Sequence, residues 1–238
     1  MKIFLLPLLL LGLTACDATR PSAETSTPAT KEMAPVASNP ELYGGISIEA
    51  LDAEYEGYDK AYFAGGCFWC TEASFDRIRG VVDVFSGYAG GTSANPSYKE
   101  VSYGKTDHAE AIVVYFDPAV ITYDQLLDVF FVAHDPTEVN RQGPDVGAHY
   151  RSAIFPLTEA QRTAATAKIA VLNQSGTFGK PIATTIEDNH QFWVAEEYHQ
   201  DYFENPNNPN QSYVQNVSRP KVEKVMKVFR DMLKPEFR

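Results

Sequence analysis

The most constraining feature of the sequence is a pair of cysteines at the start of a predicted helix. Residues 65–70 have the sequence Gly-Gly-Cys-Phe-Trp-Cys and follow the apolar stretch 61–64, which is typical of a short buried strand. Apolar residues then recur with helical spacing over residues 68–79. The chain must therefore turn from a strand into a helix at Cys67. Unpaired N–H groups and the helix dipole favour a thiolate there, so Cys67 is a candidate nucleophile.

The N-terminus has the pattern of a bacterial lipoprotein signal. Lys2 precedes an apolar core that is too short to span a bilayer, and the segment ends in Leu-Thr-Ala-Cys, which resembles a lipobox. We expect residues 1–15 to be a signal peptide and Cys16 to be lipidated, giving an exported lipoprotein that faces the periplasm. An ordinary signal peptide with an incidental cysteine is the alternative. Asp17 resembles the signal that keeps such proteins at the inner membrane in some bacteria.

Two further regions follow the signal. Residues 16–45 are rich in Ala, Ser, Thr and Pro, which cannot bury enough apolar surface to offset the entropy of ordering, so we predict a flexible linker. Residues 46–238 are predicted to form one catalytic domain, large enough for a hydrophobic core. Only Cys67 and Cys70 can pair within it, and a disulfide across so short a loop would stabilise the fold little. A redox or catalytic pair is the better interpretation.

Composition and element order narrow the class of protein. The chain has 20 Lys and Arg against 31 Asp and Glu, a net charge of −11, and no basic cluster, so nucleic acid is not an expected partner. Strands and helices alternate without a glycine-rich dinucleotide motif, which predicts an α+β fold, a two-layer sandwich of a mixed sheet and packed helices. The predicted strands are 61–64, 81–85, 111–116, 152–155 and 182–186, and the predicted helices are 68–79, 123–133, 158–173 and 221–233.

Several polar motifs lie in or beside the predicted loops, and each is weak alone. Tyr98 by itself is most often a packed ring, and Asp145 a turn residue. Taken together, residues 61–202 resemble the A type of peptide methionine sulfoxide reductase, a family whose core is ferredoxin-like. The matching motifs are Gly66-Cys67-Phe68-Trp69, Gly87-Tyr88-Ala89-Gly90-Gly91, Asn95-Pro96-Ser97-Tyr98, His108-Ala109-Glu110, His134-Asp135-Pro136-Thr137, Asn140-Arg141-Gln142-Gly143, Asp145 with Gly147, and Tyr150-Arg151-Ser152.

The resemblance implies a reaction that needs no cofactor. Cys67 would attack the sulfur of a methionine S-sulfoxide, free or protein-bound, and become a sulfenic acid. Glu110 matches the proton donor, a role that requires burial to raise its pKa. The family uses no metal, and the histidine spacings here match no zinc pattern. Tyr98 and Tyr150 match the tyrosines that bind the sulfoxide oxygen, and Phe68 and Trp69 match the wall around the methyl group. Asp145 matches an aspartate that orients the pocket or the substrate backbone.

Recycling of the sulfenic acid is the point at which the sequence departs from many members of the family. They carry a recycling cysteine near the C-terminus, whereas no cysteine follows Cys70 here. Either Cys70 condenses with Cys67 to form a disulfide, as in thioredoxin-type Cys-X-X-Cys sites, or an external thiol reduces Cys67 directly. The expected partners are a thioredoxin-like reductant and oxidised envelope proteins, with the lipid anchor as the only membrane contact.

Two other functions fit part of the sequence. A disulfide oxidoreductase would explain the Cys-X-X-Cys motif, but its cis-proline loop has no convincing counterpart, and Glu110 and the tyrosines would have no role. A non-enzymatic lipoprotein would explain the signal and the acidic composition, but it would not explain the Gly-Cys-Phe-Trp motif.

Overall fold

The computed structural model describes residues 46–188 and 191–238. The predicted signal peptide, Cys16 and the linker lie outside these residues. The helices are α1 (Ile48–Glu54), α2 (Phe68–Asp76), α3 (Tyr98–Ser102), α4 (Tyr123–Ala133), α5 (Glu159–Ser175), α6 (Gln211–Tyr213) and α7 (Arg219–Val228). The strands are β1 (Asp59–Gly65), β2 (Val81–Ala89), β3 (Ala109–Phe116), β4 (Arg141–Gln142), β5 (Asp145–Val146), β6 (Ser152–Phe155), β7 (Thr185–Ile186) and β8 (Phe192–Val194).

Six strands form the central sheet, in the order β7-β6-β1-β3-β2-β8. All neighbours are antiparallel except β6 and β7, which are parallel, so the sheet is mixed. The inner four strands are connected β1-α2-β2-β3-α4-β6, which is the ferredoxin-like arrangement of two split β-α-β units. The predicted α+β class is confirmed.

Both faces of the sheet are buried, and alternate residues of each strand divide between them. On β1, Ala61 and Phe63 face the cluster that includes α2 and α4, while Tyr62 and Ala64 face a second cluster. The second cluster is covered by Leu51 and other apolar residues of α1, a helix that the sequence analysis did not predict. Double-sided burial explains why the strands were recognisable as nearly continuous apolar runs.

The C-terminal helix differs most from its prediction. It was expected over 221–233, but helical structure begins at α6 and reaches α7 through a π turn, Val214–Ser218. The π turn places Pro220 at the start of α7, where its missing N–H needs no partner. The chain leaves the helix after Val228 because the backbone of residues 232–234 bonds to the end of α2 and the residues after it, for example Arg79 N–H to Met232 O at 2.7 Å.

Other differences are smaller. α2 ends at Asp76 rather than at residue 79, β2 continues to Ala89 because it also pairs with β8, and the strand expected over 182–186 is only β7. The short helix α3 was not predicted, although Ser97 and Glu100 form a capping box at its start. Within residues 46–188 and 191–238, no helix combines the length and apolar character needed to cross a membrane.

A tight turn between β1 and α2 positions the first cysteine. Gly66 has φ +88°, a left-handed conformation that suits glycine, and a Cβ there would lie 2.5 Å from the Cβ of Gln142. The turn brings the chain from the centre of the sheet directly into α2, with Cys67 as the residue that precedes the first helical turn.

Candidate active site

The Cys67 side chain lies at the N-terminus of α2 and is only 4 % exposed. The Cys67 side chain makes no capping hydrogen bond, so the N–H groups of the first turn are left for other acceptors. One of these groups bonds to a carboxyl group: Phe68 N–H donates to Glu110 Oε2 at 3.2 Å. The same helix end therefore places the thiol beside Glu110.

Glu110 projects from β3 at the centre of the sheet and is 1 % exposed. Burial raises the pKa of its carboxyl group to about 8, and the negative charge of Asp145 adds to the rise, while the bond from Phe68 N–H opposes it. Glu110 is therefore mostly protonated at neutral pH. A buried carboxylic acid of this kind can give a proton to a ligand oxygen.

A cavity of about 190 Å³ opens onto the thiol and the acid. Burial raises the pKa of both Tyr98 and Tyr150, so both phenols are neutral donors at physiological pH. Tyr98 begins α3, and Tyr150 closes the turn before β6. The residues that line the cavity are Cys67, Trp69, Tyr98, Glu110, Asp145, Tyr150, Asn210 and Tyr213.

The apolar wall of the cavity is the indole of Trp69, which is held on two sides. Its ring is stacked on Tyr202 with centroids 3.7 Å apart and an interplanar angle of 7°. Its Nε1–H donates to His199 Nδ1 at 3.1 Å, and burial lowers the pKa of His199 to about 4, so the imidazole stays a neutral acceptor. Phe68 does not line the cavity and instead packs behind it, against Tyr98.

The carboxylate of Glu196, a residue that closely follows β8, fixes the position of α3. Its Oε1 accepts from Tyr98 N–H at 2.8 Å, and its Oε2 accepts from Tyr88 O–H at 2.7 Å. One carboxylate thus ties the first residue of α3 to β2. This contact holds the Tyr98 ring at the cavity, and the sequence analysis did not identify Glu196.

The start of the C-terminal helix closes the cavity, which the sequence analysis also missed. Tyr213 O–H donates to Asp145 Oδ2 at 2.6 Å, and the Tyr213 ring meets Trp69 edge-on. The ring places its hydroxyl at the same cavity as the Cys67 sulfur. No local pattern around Tyr213 or Asn210 marks them as site residues, because they reach the cavity only through the path of the chain after β8.

Cys70 lies one turn into α2, beside Cys67, and both thiols are free. Burial raises the pKa of the Cys67 thiol, whereas its hydrogen bond to Cys70 lowers the pKa of Cys70 to about 7. Two thiols that share a hydrogen bond lose the first proton easily and hold the second tightly. One negative charge is therefore available to the pair near neutral pH, and Cys67 is the member that faces the cavity.

Besides His199, two further histidines serve as hydrogen-bond partners, whereas His149 packs against the ring of Tyr150. His134 bonds to Phe130 O and to Ser152 Oγ, and His108 accepts from Gly91 N–H. Within the described part of the chain, no group of three or more His, Cys, Asp or Glu side chains could hold a metal ion.

This arrangement is suited to thiol-based redox chemistry on a small ligand with a polar oxygen. A nucleophilic sulfur, a neutral acid and two phenols converge on one cavity, so the site defines the class of thiol-dependent oxidoreductases. The family model described as "Peptide methionine sulfoxide reductase" matches residues 59–233. The chain belongs to the peptide methionine sulfoxide reductase family and is an enzyme of that class.

Individual relatives agree with this assignment. A peptide methionine sulfoxide reductase MsrA of Deinococcus radiodurans is 52 % identical over 176 residues, 74 % of this chain and 84 % of the relative. An MsrA of Haloquadratum walsbyi is 51 % identical over 175 residues, 74 % of this chain and 98 % of the relative. Among solved structures, reduced Mxr1 from Saccharomyces cerevisiae has a TM-score of 0.56 at 41 % identity, over 63 % of this chain and 87 % of that chain.

Proposed function

We propose that the protein reduces methionine S-sulfoxide, free or in proteins, to methionine. The observation that carries this proposal is that Cys67, the protonated Glu110 and the hydroxyls of Tyr98 and Tyr150 surround one cavity. A sulfoxide has a sulfur to be attacked, an oxygen to be protonated and a methyl group to be packed. Each of these parts has a matching group in the cavity, with Trp69 beside the methyl group.

The reaction begins when Cys67, as the thiolate of the cysteine pair and with Cys70 keeping the pair's one proton, attacks the sulfur of the substrate. Glu110 gives its proton to the sulfoxide oxygen while the tyrosine hydroxyls donate hydrogen bonds to it. The oxygen leaves the substrate and ends on Cys67 as an S–OH group. The substrate sulfur gains two electrons, the Cys67 sulfur loses two, and methionine leaves because it no longer offers an acceptor to the buried donors.

Recycling follows through Cys70. Its thiolate attacks the Cys67 sulfur, the S–S bond forms as the S–O bond breaks, and the oxygen leaves as water after taking up a proton. The two cysteines are three residues apart at the start of one helix, the spacing that thioredoxin-type sites use. A thioredoxin-like dithiol then reduces the disulfide by exchange.

The substrate assignment is tested with separate S and R epimers of a methionine sulfoxide substrate and dithiothreitol as reductant. We expect turnover of the S epimer only, because the acid and the phenols lie on one side of the bound sulfur. Reaction of neither epimer, together with rapid reduction of insulin disulfides, would instead identify a disulfide oxidoreductase.

Replacing Tyr98 or Tyr150 with phenylalanine should slow sulfoxide reduction on the order of 10²-fold, because each change removes a donor aimed at the developing charge. The single-turnover rate of methionine release measures this effect. Tyr103→Phe is the matched control, since Tyr103 follows the same short helix but is 71 % exposed. Equal rates in all three variants would show that the phenols do not contact the oxygen.

Replacing Cys70 with serine should separate the two reductants. We expect the variant to keep turning over with dithiothreitol, which reaches the Cys67 sulfenic acid directly, and to stall with thioredoxin, which needs a disulfide. Intact mass after one turnover gives an independent readout, with loss of two hydrogens in the wild type and a gain of one oxygen in the variant. Unchanged turnover with thioredoxin would show that Cys70 takes no part in recycling.

We also propose that Cys16 carries a lipid and that the enzyme repairs oxidised envelope proteins from the periplasmic side, supported by the signal and lipobox pattern of the sequence. The full chain is expected to partition with membranes and detergent, and its Cys16→Ala variant with the soluble periplasm. Identical partitioning of both would contradict the anchor. Accumulation of methionine sulfoxide in envelope proteins of a strain lacking the gene would support the repair role.

A further inference from the structure

Lys221 places an ammonium group in the interior of the protein. Its Nζ is buried, and it has neither a hydrogen-bond partner nor an ion pair among the described residues. A buried charge without a partner is costly, so such a group normally faces a counter-charge. The sulfoxide mechanism above makes no use of Lys221.

Lys221 lies on α7, which packs against α2 and α4. It follows Ser218 by three residues, and residues with this spacing share one face of a helix. Ser218 is fully buried at the end of the π turn, and its hydroxyl accepts a hydrogen bond from the Cys70 thiol at 3.2 Å. π turns of this kind often occur at functional sites. Ser218 therefore bonds to the second cysteine from the helix face that also carries Lys221.

Several titratable groups act on Cys70, among them Glu110 and Tyr213. Besides Cys67 and Ser218, the electrostatic environment of Cys70 includes the positive charge of Lys221 and the negative charge of Asp145. Lys221 favours the thiolate and Asp145 opposes it. Lys221 is the positive group in this set.

The other neighbours of Lys221 include one acidic side chain, and it does not bond to the ammonium group. Lys221 lines a cavity of about 290 Å³ with Ala133, His134, Asp135, Gln142, Phe178 and Lys224. Burial lowers the pKa of His134 to about 4, so it is neutral, and Lys224 is a second cation. The Asp135 carboxylate is the anion of this cavity, but it bonds to Thr137 N–H at 2.9 Å and to Thr137 O–H at 2.7 Å and forms no ion pair with Lys221 among the described residues. The Cys70 sulfur is a second group that the charge of Lys221 acts on.

We propose that, once Cys67 is a sulfenic acid, the ammonium of Lys221 holds the Cys70 sulfur as a thiolate to which the Ser218 hydroxyl then donates, which makes Lys221 a positioning residue for recycling. The thiolate is the form that attacks the Cys67 sulfenic acid, forming the S–S bond and releasing the oxygen as water. It is also the leaving group when an external dithiol attacks Cys67. The recycling part of this inference depends on the proposed role of Cys70, whereas the effect of Lys221 on ionisation does not.

Ionisation is tested in the full chain with Cys67→Ser, so that one thiol of α2 remains. The rate of Cys70 alkylation by iodoacetamide is followed against pH by peptide mass. Lys221→Met should shift the midpoint of this profile upward by about one pH unit, a loss of rate that reaches about tenfold at pH values well below the midpoint. Lys221→Arg should keep the original profile, and Lys224→Met is the matched control, an exposed lysine of the same cavity. Lys221→Gln replaces Lys221→Met if the latter does not fold. An unchanged profile in the neutral variants overturns the inference.

Recycling is tested in the same Lys221 variants with both cysteines present, after one equivalent of sulfoxide. We expect disulfide formation to slow about five- to tenfold and methionine release to slow less, because the two thiols share the charge in the first step and Cys70 alone carries it in the second. Disulfide formation at the wild-type rate in Lys221→Met would overturn the inference. If the wild-type enzyme itself forms no disulfide, the proposed recycling route fails instead, and the alkylation profile alone decides the effect of Lys221 on ionisation.

Discussion

Replacing Cys67 with serine is expected to abolish sulfoxide reduction, a loss on the order of 10⁵-fold or more, comparable to removing the nucleophile of other covalent enzymes. Two physical effects account for this loss of activity. A serine hydroxyl stays protonated at the N-terminus of α2, where the thiol pair of the wild type can lose a proton. Its oxygen also cannot store the substrate oxygen as a sulfur atom can.

The measurement is single-turnover release of methionine from the S epimer, with dithiothreitol present. Cys70→Ser is the matched control, because it makes the same atomic replacement one helical turn away and should still release methionine. Thermal unfolding should be similar for both variants, since each replaces one buried sulfur in α2. Turnover of the Cys67 variant within tenfold of the wild-type rate would identify a different nucleophile.

Replacing Glu110 with glutamine should slow methionine formation by about 10²- to 10⁴-fold, the usual contribution of a general acid. The amide keeps the shape of the side chain and an acceptor for Phe68 N–H, but it has no acidic proton to transfer. In the wild type, the chemical step should also decline as the pH rises through about 8, because Glu110 loses its proton there. The glutamine variant should lack this alkaline decline.

Stability provides a second readout for Glu110, and its sign follows from the pKa. The folded-state pKa of about 8 lies above the unfolded value, so protonated Glu110 favours the folded state at low pH. This contribution is complete below the unfolded pKa and is lost as the pH rises toward 8. Relative to the wild type, Glu110→Gln should therefore gain stability between these limits, as measured by the free energy of unfolding.

Glu72→Gln is the matched control for Glu110. Burial raises the pKa of Glu72 as well, but its carboxyl group bonds to Ser86 and to Asp201 N–H, away from the cavity. Replacing Glu72 should change how the free energy of unfolding depends on pH and should leave the rate of methionine formation unchanged. A methionine-forming step that declines equally in both variants would argue against Glu110 as the proton donor.

The site could be predicted where local sequence decides local structure. The run Gly65-Gly66-Cys67 requires a tight turn, because Gly66 has a positive φ and no room for a Cβ beside Gln142. The apolar runs of β1 and β3 were recognisable because both faces of the sheet are covered. By contrast, the start of the C-terminal helix was misplaced, because Pro220 suggests a boundary that the π turn accommodates instead.

The sequence by itself determined the strand–turn–helix that presents Cys67 and the α+β class, since both depend on neighbouring residues and on periodicity. The tertiary structure decided the chemistry of the site. Burial under the packed sheet makes Glu110 an acid with a pKa of about 8. The return of the C-terminal helix brings Ser218 to Cys70 across 148 positions of the chain, and Lys221 with it. Desolvation and charge act through space, so these properties appear only when distant segments pack together.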